Sequence, residues 1–133
     1  MKLGLYIHIP FCKRKCKYCD FVSFPENEEK IQKYFNALKK EIINTDIENR
    51  EISTIYIGGG TPSFVDSKYI VEILELIMNR FKLSENAEIT IEINPGTVDK
   101  EKLLSYKKVG INRISIGLQS SSDRLLKLIR QNP

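Results

Sequence analysis

LGLYIHIPFCKRKCKYCDF, Leu3 to Phe21, joins a short β-rich run to a loop holding all three cysteines of the chain. The run is apolar, closes at Pro10, and reads as a buried strand. Cys12, Cys16 and Cys19 follow at once, spaced C-x3-C-x2-C, with Lys13, Arg14, Lys15 and Lys17 among them. A strand that delivers special residues into a loop, ahead of an amphipathic helix, is a pattern the rest of the chain repeats.

The next segment, ENEEKIQKYFNALKKEII, places Ile31, Tyr34, Phe35, Leu38 and Ile42 on one helical face. ISTIYI is a second strand, ended by GGGTPS. Asp66 or Ser67 can cap a second helix, whose buried face is Ile70, Ile73, Leu74, Ile77 and Phe81. AEITIEI is a third strand closed by NPG, and DKEKLLSYKKVG a third helix with Gly110 as its stop. INRISIGL and SSDRLLKLIR supply a fourth strand and the start of a fourth helix. The alternation β-α-β-α-β-α-β-α predicts an α/β fold with a parallel sheet and helical crossovers, its strands buried on both faces. The chain shows no low-complexity segment, dividing linker or sequence repeat.

The 133 residues suffice for one core; 41% hydrophobic and 29% charged residues make an ordinary globular balance. A net charge of +4 shows no basic face outside the cysteine loop, so nucleic acid is not an expected partner. No run is long enough to span a bilayer, and MKLGLYIHIP lacks the features of a signal peptide. Three cysteines in that setting point to a reducing compartment, and the protein is expected to be cytoplasmic without stable membrane insertion.

Three thiols are odd for disulfides and one short of a closed zinc site, and the only histidine, His8, lies inside the first strand. A three-thiolate set suits a cubane iron–sulfur cluster with one iron free for a ligand; the basic neighbours would favour thiolate and offset the cluster's charge. The alternative is three free thiols in a basic loop. GGGTPS lets backbone approach a ligand closely but lacks the ending of a P-loop, and could be a tight turn. Glu92 and Gln119 end the third and fourth strands, where polar groups are also ordinary caps. His8 reads as a satisfied core or rim histidine, with Tyr6 on the same strand face. All these residues fall at strand carboxyl ends, where parallel α/β folds bind ligands.

YIHIPFCKRKCKYCDF resembles the radical S-adenosylmethionine (SAM) enzymes, whose signature is C-x3-C-x-aromatic-C; Tyr18 fills the aromatic position. With YIGGGTPS, EINPGTV and GINRISIGLQS, the set is similar to the oxygen-independent coproporphyrinogen III oxidase group, including its haem-chaperone branch. The resemblance implies a [4Fe-4S] cluster on Cys12, Cys16 and Cys19, with SAM chelated at the open iron and reductively cleaved to a 5′-deoxyadenosyl radical. It carries SAM-contacting roles to Tyr6, Gly59, Gly60, Thr61, Glu92 and Gln119, with Tyr18 flanking the cluster. The family usually has an arginine twelve residues after the glutamine; here that position is Gln131, beside Arg130.

The implied fold is a partial (β/α) barrel of the radical SAM type with about four of an expected six βα units. Residues 1–133 would be the N-terminal part of the core domain, with the C-terminal remainder absent and self-association expected of this stretch alone. Catalytic turnover is not expected of it either; the catalytic residues are unassigned. The full protein is expected to meet haem or porphyrin and an electron donor such as flavodoxin or ferredoxin. Phe21 stands where the oxidases carry a fourth cysteine, and the chain starts close to its first strand; both features favour the haem chaperone. The alternatives are the oxidase itself, acting in porphyrin biosynthesis, and a non-catalytic iron–sulfur or zinc module.

Overall fold

The computed structural model describes residues 2–11 and 28–116. Four strands, β1 (Lys2–Ile9), β2 (Glu51–Gly59), β3 (Leu83–Ile93) and β4 (Arg113–Ile116), form one sheet in the order β1-β2-β3-β4. All three pairings are parallel. Helices α1 (Glu28–Asn44), α2 (Ser67–Arg80) and α3 (Lys100–Val109) fill the crossovers. This is the predicted α/β architecture, with the strands side by side in chain order. The segment read as a fourth helix lies outside the described residues.

Helix ends follow local chemistry. Asp66, not Ser67, caps α2, its side chain accepting the Lys68 N–H. Asp99 caps α3 by accepting from Lys102 N–H, and Gly110 ends that helix in the left-handed conformation. Phe81 falls one residue beyond α2 as its C-cap and is half-buried rather than part of the buried helical face. The described helices include none long and apolar enough to cross a membrane.

The expectation of strands buried on both faces is corrected. Ile7 and Ile9, Ile55 and Ile57, and Ile89, Ile91 and Ile93 form one core with Phe35, Ile70, Ile73, Leu74 and Ile77 of the helices. The alternate positions carry Tyr6 and His8, Tyr56 and Gly58, Thr90 and Glu92, and Arg113 and Ser115, paired across the strands by register. Successive side chains of a strand point to opposite faces. The described helices therefore cover the isoleucine face over β1 to β3, leaving Ile114 and Ile116 of β4 exposed among the described residues, while the other face is polar; Tyr6 on it is 55% exposed. A sheet helix-covered on one side, with its polar side turned inward, is how a barrel wall is built.

Candidate functional site

The site begins where β1 and β2 end. Beyond its last strand residue β1 continues as Pro10 and Phe11, and the glycine loop closes on them: Gly60 N–H donates to Ile9 O at 2.9 Å and Thr61 N–H to Phe11 O at 2.7 Å. Gly59 has φ +119°, a conformation side chains rarely adopt, and a Cβ there would lie 2.8 Å from His8 Nδ1. A Cβ on Gly60 would lie 2.7 Å from Phe11 O. The close approach these glycines permit is thus made by the chain itself, and it fixes Phe11, the residue before Cys12.

Glu92 reaches into this junction from β3. Its Oε1 accepts the Gly59 N–H at 3.0 Å and its Oε2 the Tyr56 hydroxyl at 3.0 Å. A Cβ on Gly58 would come within 2.5 Å of Oε1, so the carboxylate occupies the space that glycine leaves. The Tyr56 ring stacks on Tyr6, centroids 6.0 Å apart and planes 16° from parallel. The Tyr6 hydroxyl lies 3.3 Å from His8 Nδ1. Burial raises the Tyr6 phenol above its ordinary pKa, and Glu92 and Tyr56 push it the same way, so it stays protonated near neutrality.

Under the rim, a second polar cluster ties the loops after β2 and β3 together. Ser63 is fully buried, hydrogen-bonds Thr97 through the two hydroxyls, and accepts the Asn94 N–H at 3.1 Å. Lys102 of α3 drives its ammonium into the same spot, donating to Ser63 O at 2.6 Å and Thr97 O at 3.2 Å. Burial lowers the Lys102 pKa, opposed by Asp66 and Asp99. Lys102→Met keeps the aliphatic stem but leaves both carbonyls short of a donor. It is expected to cost about 1–3 kcal/mol of stability, read as a lower urea midpoint at unchanged slope; an unchanged midpoint would show the ammonium to be dispensable.

Among the predicted residues, Tyr6, Gly59, Gly60, Thr61 and Glu92 lie on β1, β2, β3 and the loop after β2. Gly59 and Glu92 are joined directly by a hydrogen bond, while Gly60 and Thr61 bond the end of β1. Cys12, Cys16, Cys19, Tyr18, Gln119, Arg130 and Gln131 lie outside the described residues, which contain no group of three His, Cys, Asp or Glu able to hold a metal. Tyr56, Ser63 and Lys102 escaped sequence reasoning; their roles depend on inter-strand register and on loops far apart in the chain. The acceptors fit SAM, a cationic ligand with hydroxyl and amino groups: among the described residues each Glu92 oxygen has one hydrogen-bond partner, at the ligand-binding end of a parallel sheet.

Residues 6–133 match the radical SAM superfamily, and the chain belongs to it. Its relatives include the heme chaperone HemW of Escherichia coli K12, 42% identical over 94% of this chain and 34% of that protein. HemW of Buchnera aphidicola from Schizaphis graminum is 45% identical over 97% of this chain and 35% of that protein. Among solved structures, coproporphyrinogen III oxidase (HemN) from Escherichia coli, a radical SAM enzyme, superposes with a TM-score of 0.86. That match is 29% identical and covers 98% of this chain and 31% of the oxidase. The chain thus spans about a third of the length of the proteins it matches.

Proposed function

We propose that residues 1–133 are the N-terminal part of a radical SAM core domain that holds a [4Fe-4S] cluster on Cys12, Cys16 and Cys19. SAM would lie along Tyr6, Gly59, Gly60, Thr61, Glu92 and Gln119, with Tyr18 beside the cluster. The observation that carries this reading is the glycine loop's double hold, on the end of β1 through Gly60 and Thr61 and on the Glu92 carboxylate through Gly59, at the sheet's ligand-binding end. Cys12, Cys16 and Cys19 would hold the cluster, whose chemistry when bound and reduced would be one-electron, reductive cleavage of SAM. The protein's part is positional. Gly59 and Tyr56 aim the Glu92 carboxylate, Gly60 seats Phe11, and the polar sheet face receives a ligand while the isoleucine face carries the helices.

The full-length protein is read as a haem chaperone, supported by its similarity to HemW and by Phe21 in place of a fourth cysteine. Haem, and an electron donor of the flavodoxin or ferredoxin type, are its proposed partners, in the cytoplasm. The experiment is anaerobic incubation of reconstituted full-length protein with dithionite, SAM and coproporphyrinogen III, followed by chromatography. Slow formation of 5′-deoxyadenosine without protoporphyrin is expected. Protoporphyrin over many turnovers would restore the oxidase, and no SAM cleavage with bound zinc would leave a metal module.

A further inference from the structure

We infer that Tyr56 is a positioning residue for SAM, setting the orientation of the Glu92 carboxylate; this rests on the reading of Glu92 as a SAM contact. A glutamate at a strand end has three side-chain torsions, the last of them broad, so its oxygens have no intrinsic direction. Here each oxygen has its own donor from β2. The Gly59 N–H holds Oε1 and the Tyr56 hydroxyl holds Oε2, each at 3.0 Å, while Oε1 sits over the bare backbone of Gly58. Backbone alone would pin one oxygen and leave the plane of the carboxylate free to turn about it. The phenol removes that freedom.

Tyr56 is well placed to hold another group still. Its neighbours Ile55 and Ile57 are each 1% exposed, so the backbone on both sides is locked into the core. Its ring is stacked on Tyr6. Burial pushes its phenol above the ordinary range, and of the smaller influences Ser115 and Arg113 oppose the rise while Glu92 adds to it; the hydroxyl therefore keeps its proton and donates at neutral pH. With both oxygens tethered on the β2 side, their remaining lone pairs are fixed in direction before a ligand arrives. Pre-ordering of this kind removes an entropic cost of binding and raises affinity without adding a contact.

The test is calorimetric titration of SAM into the cluster-loaded full-length protein and its Tyr56→Phe, Glu92→Gln and double variants. Phenylalanine keeps the ring and its stacking, so the thermal midpoint should stay close to wild type. Tyr56→Phe should weaken SAM about tenfold and raise KM for SAM at unchanged kcat. Glu92→Gln should weaken binding more, and adding Tyr56→Phe to it should change nothing further, since the two act through one interaction. Wild-type affinity in Tyr56→Phe beside a weakened Glu92→Gln would overturn the role of Tyr56 and leave the SAM site standing. Additive losses in the double variant would do the same, placing the effect of Tyr56 elsewhere. Wild-type affinity in Glu92→Gln would remove Glu92 from the SAM site and the inference with it.

Discussion

Gly60→Ala is expected to cost the protein its cluster as well as its SAM. The methyl group would lie 2.7 Å from Phe11 O, 3.0 Å from Phe11 N and 3.1 Å from Phe11 C. All three are backbone atoms and cannot rotate away. Phe11 cannot retreat easily either: it is 1% exposed and packs edge-on against Tyr34 at 5.4 Å. The overlap must therefore shift the Phe11 backbone and break the bonds from Gly60 and Thr61 that hold the end of β1, and Cys12 is the next residue along. The stability cost of such overpacking is about 1–3 kcal/mol, a loss the core can absorb. We expect a folded protein whose iron and sulfide after anaerobic reconstitution fall to background. Iron, sulfide and thermal unfolding measured on one preparation would decide it. A full cluster with only SAM weakened would mean that Gly60 serves ligand approach alone.

The second large effect is expected of serine at Cys12, Cys16 or Cys19. Each substitution removes a thiolate, and an alcohol at neutral pH is a poor substitute ligand for iron. The brown chromophore should vanish or give way to a smaller cluster. The apo-proteins should nonetheless unfold at nearly the same urea concentration as wild-type apo-protein. Among the described residues the hydrophobic core is formed by β1, β2, β3 and the segments from residue 28 onward, with Phe11 its member next to the cysteine loop. Holo wild type should be more stable than all of them, because a group bound only by the folded state stabilises it. A serine variant that keeps its full iron content and spectrum would strike that cysteine from the ligand set.

Much of the fold was legible because it is local. Ile31, Phe35 and Ile42, or Ile70, Ile73, Leu74 and Ile77, declare a helical face by spacing alone, and Asp99 and Gly110 mark the ends of α3. The polar sheet face was legible in principle and was misread. Ile89-Thr90-Ile91-Glu92-Ile93 alternates strictly, but Tyr6, Tyr56 and Thr90 are good strand formers and made the runs look apolar throughout. The strand-end placement of Gly59, Gly60, Thr61 and Glu92 followed from the order of elements. Their partners did not. That Glu92 meets Tyr56 depends on the register of β3 against β2, and that Lys102 meets Ser63 depends on how α3 lies across two loops. Neither distance along the chain, 36 residues for the first pair and 39 for the second, leaves a periodic trace.

The one-sided covering of the sheet divides the labour of the strands residue by residue. The buried isoleucines, such as Ile7, Ile57 and Ile91, answer to the folding equilibrium, and the side chains of the other face, such as Tyr6, Tyr56 and Glu92, answer to whatever lies inside the wall. Substitutions on the inner set can therefore drift toward new ligands with little penalty in foldedness, as long as the isoleucines are left alone. A library that varies only Tyr6, His8, Tyr56 and Glu92, the side chains of the inner face near the strand ends, should keep most of its members folded while spreading widely in what they bind. One that varies the buried isoleucines Ile7, Ile9, Ile55, Ile57, Ile89 and Ile91 should do the reverse.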